Sequence, residues 1–224
     1  MKKLIRILTI SSFFLGLTIF SHNLFAYFEV LNTANVVEDG TLRATATSQF
    51  LLDRYEGVEI SGLADIGWSD QSDIRLTFGV GAVDFAFGGY YKWAPVPDRK
   101  GQPAMALISG VSYGNINGSN EFRVVTTPII SKKIATKKQG SFVYFVAMPI
   151  GMMSRSGEAD FPVNLALGSE WFPVNFKWDN AHFIAELNLH VNDSFTSISI
   201  GISFDIDDIP YFNVTKDPKR IKLD

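Results

Sequence analysis

The chain has 224 residues, of which 46% are hydrophobic, 13% aromatic and 19% charged, with a formal net charge of -3. This balance leaves no basic footprint for nucleic acid, and the complete absence of cysteine excludes disulfides and a lipid-attached N-terminal cysteine. The length fits one domain, and 18 glycines among singly scattered apolar residues point to an all-β fold.

The opening string MKKLIRILTISSFFLGLTIFSHNLFA, residues 1–26, has Lys2, Lys3 and Arg6 ahead of an apolar stretch from Ile7 to Phe20, then a polar break and Ala26. That order reads as a cleaved secretory signal. Its apolar run is short for a membrane-spanning helix, and no later segment approaches the roughly 20 apolar residues such a helix needs. Residues 27–41 form an N-terminal lead-in, either a short plug or a periplasmic approach to the first strand.

From there, ten runs with period-2 alternation follow in residues 42–206, separated by turn-rich strings. They are Leu42–Phe50, Val58–Trp68, Ile74–Val80, Val83–Trp93, Met105–Tyr113, Phe122–Ile130, Phe142–Ile150, Phe161–Trp171, Phe183–Val191 and Ile198–Ile206. Most approach the roughly 9 to 11 residues with which a tilted strand crosses a bilayer. On the parity that begins each run there is no Asp, Glu, Lys or Arg. The alternate parity carries Arg43, Glu59, Asp65, Arg75, Asp84, Lys92, Arg123, Glu170, Glu186 and Asp205 among many Gly, Ala, Ser and Thr.

Alternation alone fits a soluble barrel with the apolar face inward or a membrane barrel with that face outward. The aromatics favour the second. Trp68, Trp93, Trp171 and Phe204 lie at the ends of even runs, while Phe142 and Phe183 begin odd ones, so an up-and-down order gathers them at one rim. Phe50, Tyr113, Phe122 and Phe161 mark the other. Two aromatic girdles around an aliphatic band are what two membrane interfaces select. Small residues mixed with charges of both signs suit a narrow barrel interior. The expected fold is an antiparallel up-and-down transmembrane β-barrel of about ten strands.

The last run sharpens this. Ser199, Gly201, Phe204 and Ile206 stand in the order polar, any, Gly, any, any, aromatic, any, hydrophobic, and in this the chain resembles the broad class of small bacterial outer-membrane β-barrel proteins. The resemblance implies an outer-membrane location, membrane lipids and the barrel-assembly machinery as partners, and these four residues as the insertion signal. In most of that class the signal ends the chain, whereas here a tail, DDIPYFNVTKDPKRIKLD, residues 207–224, follows on the periplasmic side.

Candidate chemistry is sparse. His190 and Asp193 in HVND read as a polar residue beside a tight hairpin turn rather than a hydrolase pair, so no enzyme, metal or cofactor is expected. The inward charges Arg43, Glu59, Asp65, Arg75, Asp84, Lys92, Arg123, Glu170 and Glu186 are read as an ion-pair network that plugs the lumen, ahead of a conducting path. DRKGQP and SKKIATKKQG read as basic connections carrying Arg99, Lys100, Lys132, Lys133, Lys137 and Lys138. The small wall residues Ala44, Ala46, Gly62 and Ala64 admit a homo-oligomer. The expected role is structural or that of a narrow pore, with an oligomeric lipid-interacting assembly or a soluble periplasmic lipocalin-like binding barrel as alternatives.

Overall fold

Strands that alternate this strictly can bond along both edges while keeping one apolar and one polar face, and closing the sheet removes the last unpaired edge. The computed structural model describes residues 30–206 apart from 53–56, 82–83, 117, 137, 156, 175, 177 and 179. The signal sequence, the first residues of the lead-in, Lys137 and the C-terminal tail lie outside the described residues.

The strands are β1 (Leu42–Leu51), β2 (Gly57–Ser69), β3 (Ser72–Gly81), β4 (Phe85–Val96), β5 (Ala104–Ile116), β6 (Ser119–Thr136), β7 (Gly140–Ala147), β8 (Ile150–Arg155), β9 (Glu158–Asp160), β10 (Val163–Phe172), β11 (Ala181–Asn192) and β12 (Ser197–Ile206). Neighbours in sequence pair antiparallel around the sheet, and β12 returns to β1 in continuous register from Leu42 opposite Ile206 to Leu51 opposite Ser197. The sheet is therefore a closed up-and-down barrel. It has ten staves, because β7 and β8 together pair along β6 as one, and β9 and β10 together form the next.

Both interruptions are proline effects. Pro149 separates β7 from β8 and Pro162 separates β9 from β10, and neither can donate to the ladder. The broken stretch is held instead by Met148 N to Pro128 O at 3.1 Å, Gly151 N to Pro162 O at 3.0 Å and Asn164 N to Pro149 O at 3.1 Å.

The uncharged parity points outward. On β12, Ile198 and Ile200 are 41% and 50% exposed while Ser199 between them is fully buried. Phe78, Phe87, Ile130 and Met152 are likewise exposed on other staves. An apolar band of this extent is a liability in water and a match for hydrocarbon. The lipocalin-like alternative, with its greasy face inward, is thereby overturned.

The interior differs from the expected lining of small residues and charges. Ile108, Ile129, Val143, Phe145 and Ile184 also point inward and are buried. Two inward rings lie over glycines: a Cβ at Gly168 would stand 2.2 Å from the Phe145 ring, and one at Gly110 would stand 2.4 Å from that of Tyr90. Small residues there make room for large neighbours.

Two further expectations are corrected. Asp84 does not line the lumen: β4 begins only at Phe85, so Asp84 has the inward parity but lies beyond the ladder, exposed at the rim. Ser131–Thr136 is not a connection but the end of the 18-residue β6, paired with Gly140–Phe145 of β7. Lys132 and Lys133 thus extend a strand rather than decorate a turn.

Candidate functional site

The lumen is occupied by the chain's own N-terminal segment. Residues 30–37 run inside the barrel wall without regular secondary structure, with Val30, Leu31, Asn32, Thr33, Ala34 and Val37 all buried. A buried irregular segment leaves its peptide groups without ladder partners, and each must be satisfied by something. Lumen side chains do this.

The deepest contact is a bracket around one dipeptide. Glu186 on β11 accepts hydrogen bonds from Val30 N at 2.9 Å and Leu31 N at 2.6 Å. Arg75 on β3 donates to Val30 O at 2.6 Å and to Leu31 O at 3.2 Å. Leu31 has φ of 32°, which few non-glycine residues adopt. Two successive N–H groups aimed at one carboxylate in this way form an anion nest, and the ionic hydrogen bonds offset the backbone strain.

Closer to the rim where β1 begins, Ala34 N donates to Ser131 Oγ at 3.0 Å and Val37 N to Asp73 Oδ2 at 3.1 Å. Lys92 Nζ reaches Asp73 at 2.7 Å, Asn32 Oδ1 at 3.1 Å and Asn35 O at 2.6 Å. Apolar side chains complete the seat: Val30, Leu31 and Ala34 pack with Ala106, Ile108, Ile129, Phe145 and Ile184. The segment then leaves past β2, where a Cβ at Gly67 would stand 1.9 Å from Glu38 O. Glycine is required at that crossing for space alone.

The lumen charges pair with one another around this segment. Arg75 binds Asp65 at 2.6 Å, and Arg43 binds Asp205 at 2.7 Å and Glu170 at 3.2 Å. His182 lies 3.0 Å from the same Glu170. In the opposite half of the lumen Glu121 is shared by Arg123 and Arg155, while Glu59 accepts from Ser61 Oγ at 3.2 Å. Removing one member of such a pair leaves a buried charge uncompensated, a costly change.

Arg43, Glu59, Asp65, Arg75, Lys92, Arg123, Glu170 and Glu186 thus meet inside the barrel, and Asp84 does not join them. Asp73, Glu121, Arg155 and His182 belong to the same network and were missed. Asp73 and Glu121 each stand one residue before a run as drawn from the sequence, so carrying the alternation one residue outward finds both.

At the rim where β1 begins, the rings of Phe142, Trp171, Phe183, Phe176, Trp178 and Phe204 form an unbroken chain with centroid separations between 5.4 and 6.0 Å. Phe176 and Trp178 come from the connection between β10 and β11 and add to the expected girdle. Trp68 and Trp93 are exposed on the outer wall of β2 and β4. Within β12, Ser199 faces inward and is buried, a Cβ at Gly201 would pack against Ile184 and Thr47, and Ile206 is exposed. His190 lies two residues before the end of β11 with Nδ1 3.0 Å from Ser194 Oγ, beside the turn through Asp193, whose φ is 42°. Among the described residues no group of three or more His, Cys, Asp or Glu is placed to hold a metal ion.

No family model and no curated protein matches the chain. Solved structures do. A de novo designed transmembrane β-barrel aligns at 13% identity over 76% of this chain and 99% of its own, with TM-score 0.39. The N-terminal β-barrel domain of Pseudomonas aeruginosa OprF aligns at 8% identity over 76% and 100%, with TM-score 0.30. Ail, the attachment invasion locus protein of Yersinia pestis, aligns at 8% identity over 76% and 100%, with TM-score 0.31.

Proposed function

We propose that this protein is a bacterial outer-membrane β-barrel held shut by its own N-terminal segment, with a structural role in the envelope. The observation that carries the reading is the bracketing of Val30 and Leu31 by Glu186 and Arg75 in the middle of the lumen. A barrel built to conduct would keep its inward charges wetted. Here Glu59, Asp73, Lys92 and Glu186 are all at most 2% exposed.

Secretion through the signal sequence, insertion by the barrel-assembly machinery reading Ser199, Gly201, Phe204 and Ile206, and a lipid-facing outer wall complete the proposal. The test is electrical. In planar bilayers the refolded mature chain is silent, and a variant lacking residues 30–37 conducts in discrete steps. Steady conductance by the intact chain would instead establish the second reading, a narrow pore. That reading is favoured by one feature, a cavity beyond the plug lined by β3, β4, β5 and β6 and by Pro149.

Self-association through the outer wall is a further part of the proposal. Ala44, Ala46 and Ala64 surround Gly62 on β1 and β2, and a Cβ at Gly62 would meet no atom within 4 Å. Close approach of a second barrel is sterically open there. Crosslinking from this face in intact membranes yields a defined dimer; monomer alone excludes it.

A further inference from the structure

The cavity beyond the plug has a volume of about 50 Å³ and is floored by Val30. Its polar lining includes the guanidinium-bearing Arg75 and Arg123 and the hydroxyls of Thr77 and Ser112, and among the described residues lining it there is no carboxylate. Arg75, Arg123 and Thr77 are each more than nine-tenths buried. The acids that neutralise the arginines, Asp65 and Glu121, are not part of the lining, so the cavity meets the positive side of each pair. Thr77 Oγ1 is buried and has no hydrogen-bond partner among the described residues. A native protein rarely leaves such a hydroxyl unused unless a water or ligand takes it.

We propose that this cavity is a binding site for a small inorganic oxyanion, phosphate or sulfate in size and shape. A water occupies about 10 to 15 Å³ on this measure, so the cavity admits a few non-hydrogen atoms, too few for a lipid headgroup with its glycerol. A tetrahedral oxyanion takes up the fixed N–H groups of guanidinium in a way that chloride, with no oxygens to direct them, does not. Thr77 and Ser112 supply hydroxyl donors beside them, and Ile108 and Val30 close the apolar side. Arg75 is shared between this site and the backbone of the plug, so a bound anion rests against the plug's own anchor.

Phosphate titrated into the refolded full chain in zwitterionic detergent, followed by calorimetry against sodium chloride of equal ionic strength, tests this. One saturable site is expected for phosphate and none for chloride. Thr77→Val, which removes the unpartnered hydroxyl at nearly constant volume, weakens binding about five- to tenfold. Ser112→Leu fills the cavity and abolishes binding, while the heat-modifiable migration of a folded barrel remains. Absence of saturable phosphate binding overturns the proposal, and so does phosphate binding that both variants leave unchanged. These outcomes are independent of conductance, so a failure of the anion site is distinguishable from a failure of the plug.

Discussion

Glu186 and Arg75 approach from opposite staves and grip the same two residues, the carboxylate taking both N–H groups of Val30 and Leu31 and the guanidinium both of their carbonyls. Glu186→Ala leaves two buried donors without an acceptor. The expected loss is about 2–4 kcal/mol of folding free energy, with brief channel openings appearing in a planar bilayer as the segment loosens. Arg155→Gln, at a pair remote from the segment, serves as the control: it lowers the unfolding midpoint and leaves the bilayer silent. Openings in the control, or none in Glu186→Ala, would separate the bracket from closure.

Gly67 tests the other end of the plug. A methyl group there runs into Glu38 O, which is backbone and cannot swing away, so Gly67→Ala displaces either the segment or the β2 strand end. Overpacking of this kind costs about 1–3 kcal/mol. Gly62→Ala, on the same strand but facing open space, stays within about 0.5 kcal/mol of the parent. Urea unfolding of the two variants in detergent makes the comparison, and equal midpoints would rule out the crossing as a tight point.

The outward face was legible from alternation because lipid imposes one rule on every stave: no charge along the band that Ile198, Ile200 and Ile202 share with Phe78 and Phe87. The plug was legible only as one of two readings of residues 27–41, and the way it is held was not: most of its hydrogen bonds to the wall use backbone atoms of Val30, Leu31, Ala34 and Val37, which leave no pattern in the sequence. The matching inward patch of Ile129, Phe145 and Ile184 was hidden for a related reason: Ile129 and Ile184 stand beside polar residues on the inward parity of β6 and β11, and in β7 both parities are apolar, so period-2 reading sees only the outer one. Asp84 failed differently, because parity says which face a residue points to and nothing about where the ladder starts.

Asp98, in the connection between β4 and β5, ties that loop to the end of β6. Its carboxylate accepts from Lys132 Nζ at 2.5 Å and Lys133 N at 2.7 Å. Partial burial pushes the group upward, but the hydrogen bonds and charges of Lys132 and Lys133 outweigh that and hold it below the ordinary carboxylate range. A carboxylate depressed in the folded state contributes above its unfolded value, near 4, and the contribution disappears as pH falls through the folded value. Protection of the Lys133 amide against hydrogen exchange, corrected for the intrinsic rate, is expected to hold at pH 5 and to fall off below pH 4. Asp98→Asn abolishes that pH dependence; if it persists in the variant, another group is responsible.

The outward isoleucines of β12 give the most direct test of where the barrel sits. Ile200 lies near the middle of the strand and Ile206 at its end, so a bilayer ranks them by depth. Arginine costs about 2–4 kcal/mol on the lipid face at the midplane and about 0–1 kcal/mol near an interface. Ile200→Arg is therefore expected to destabilise the barrel in phospholipid vesicles far more than Ile206→Arg. In water both positions are solvent-facing, and charged substitutions at exposed sites stay within about 0.5 kcal/mol. A graded loss between the two sites is a signature that only a hydrocarbon slab around the barrel produces, and equal, small effects at both would remove the membrane from this reading.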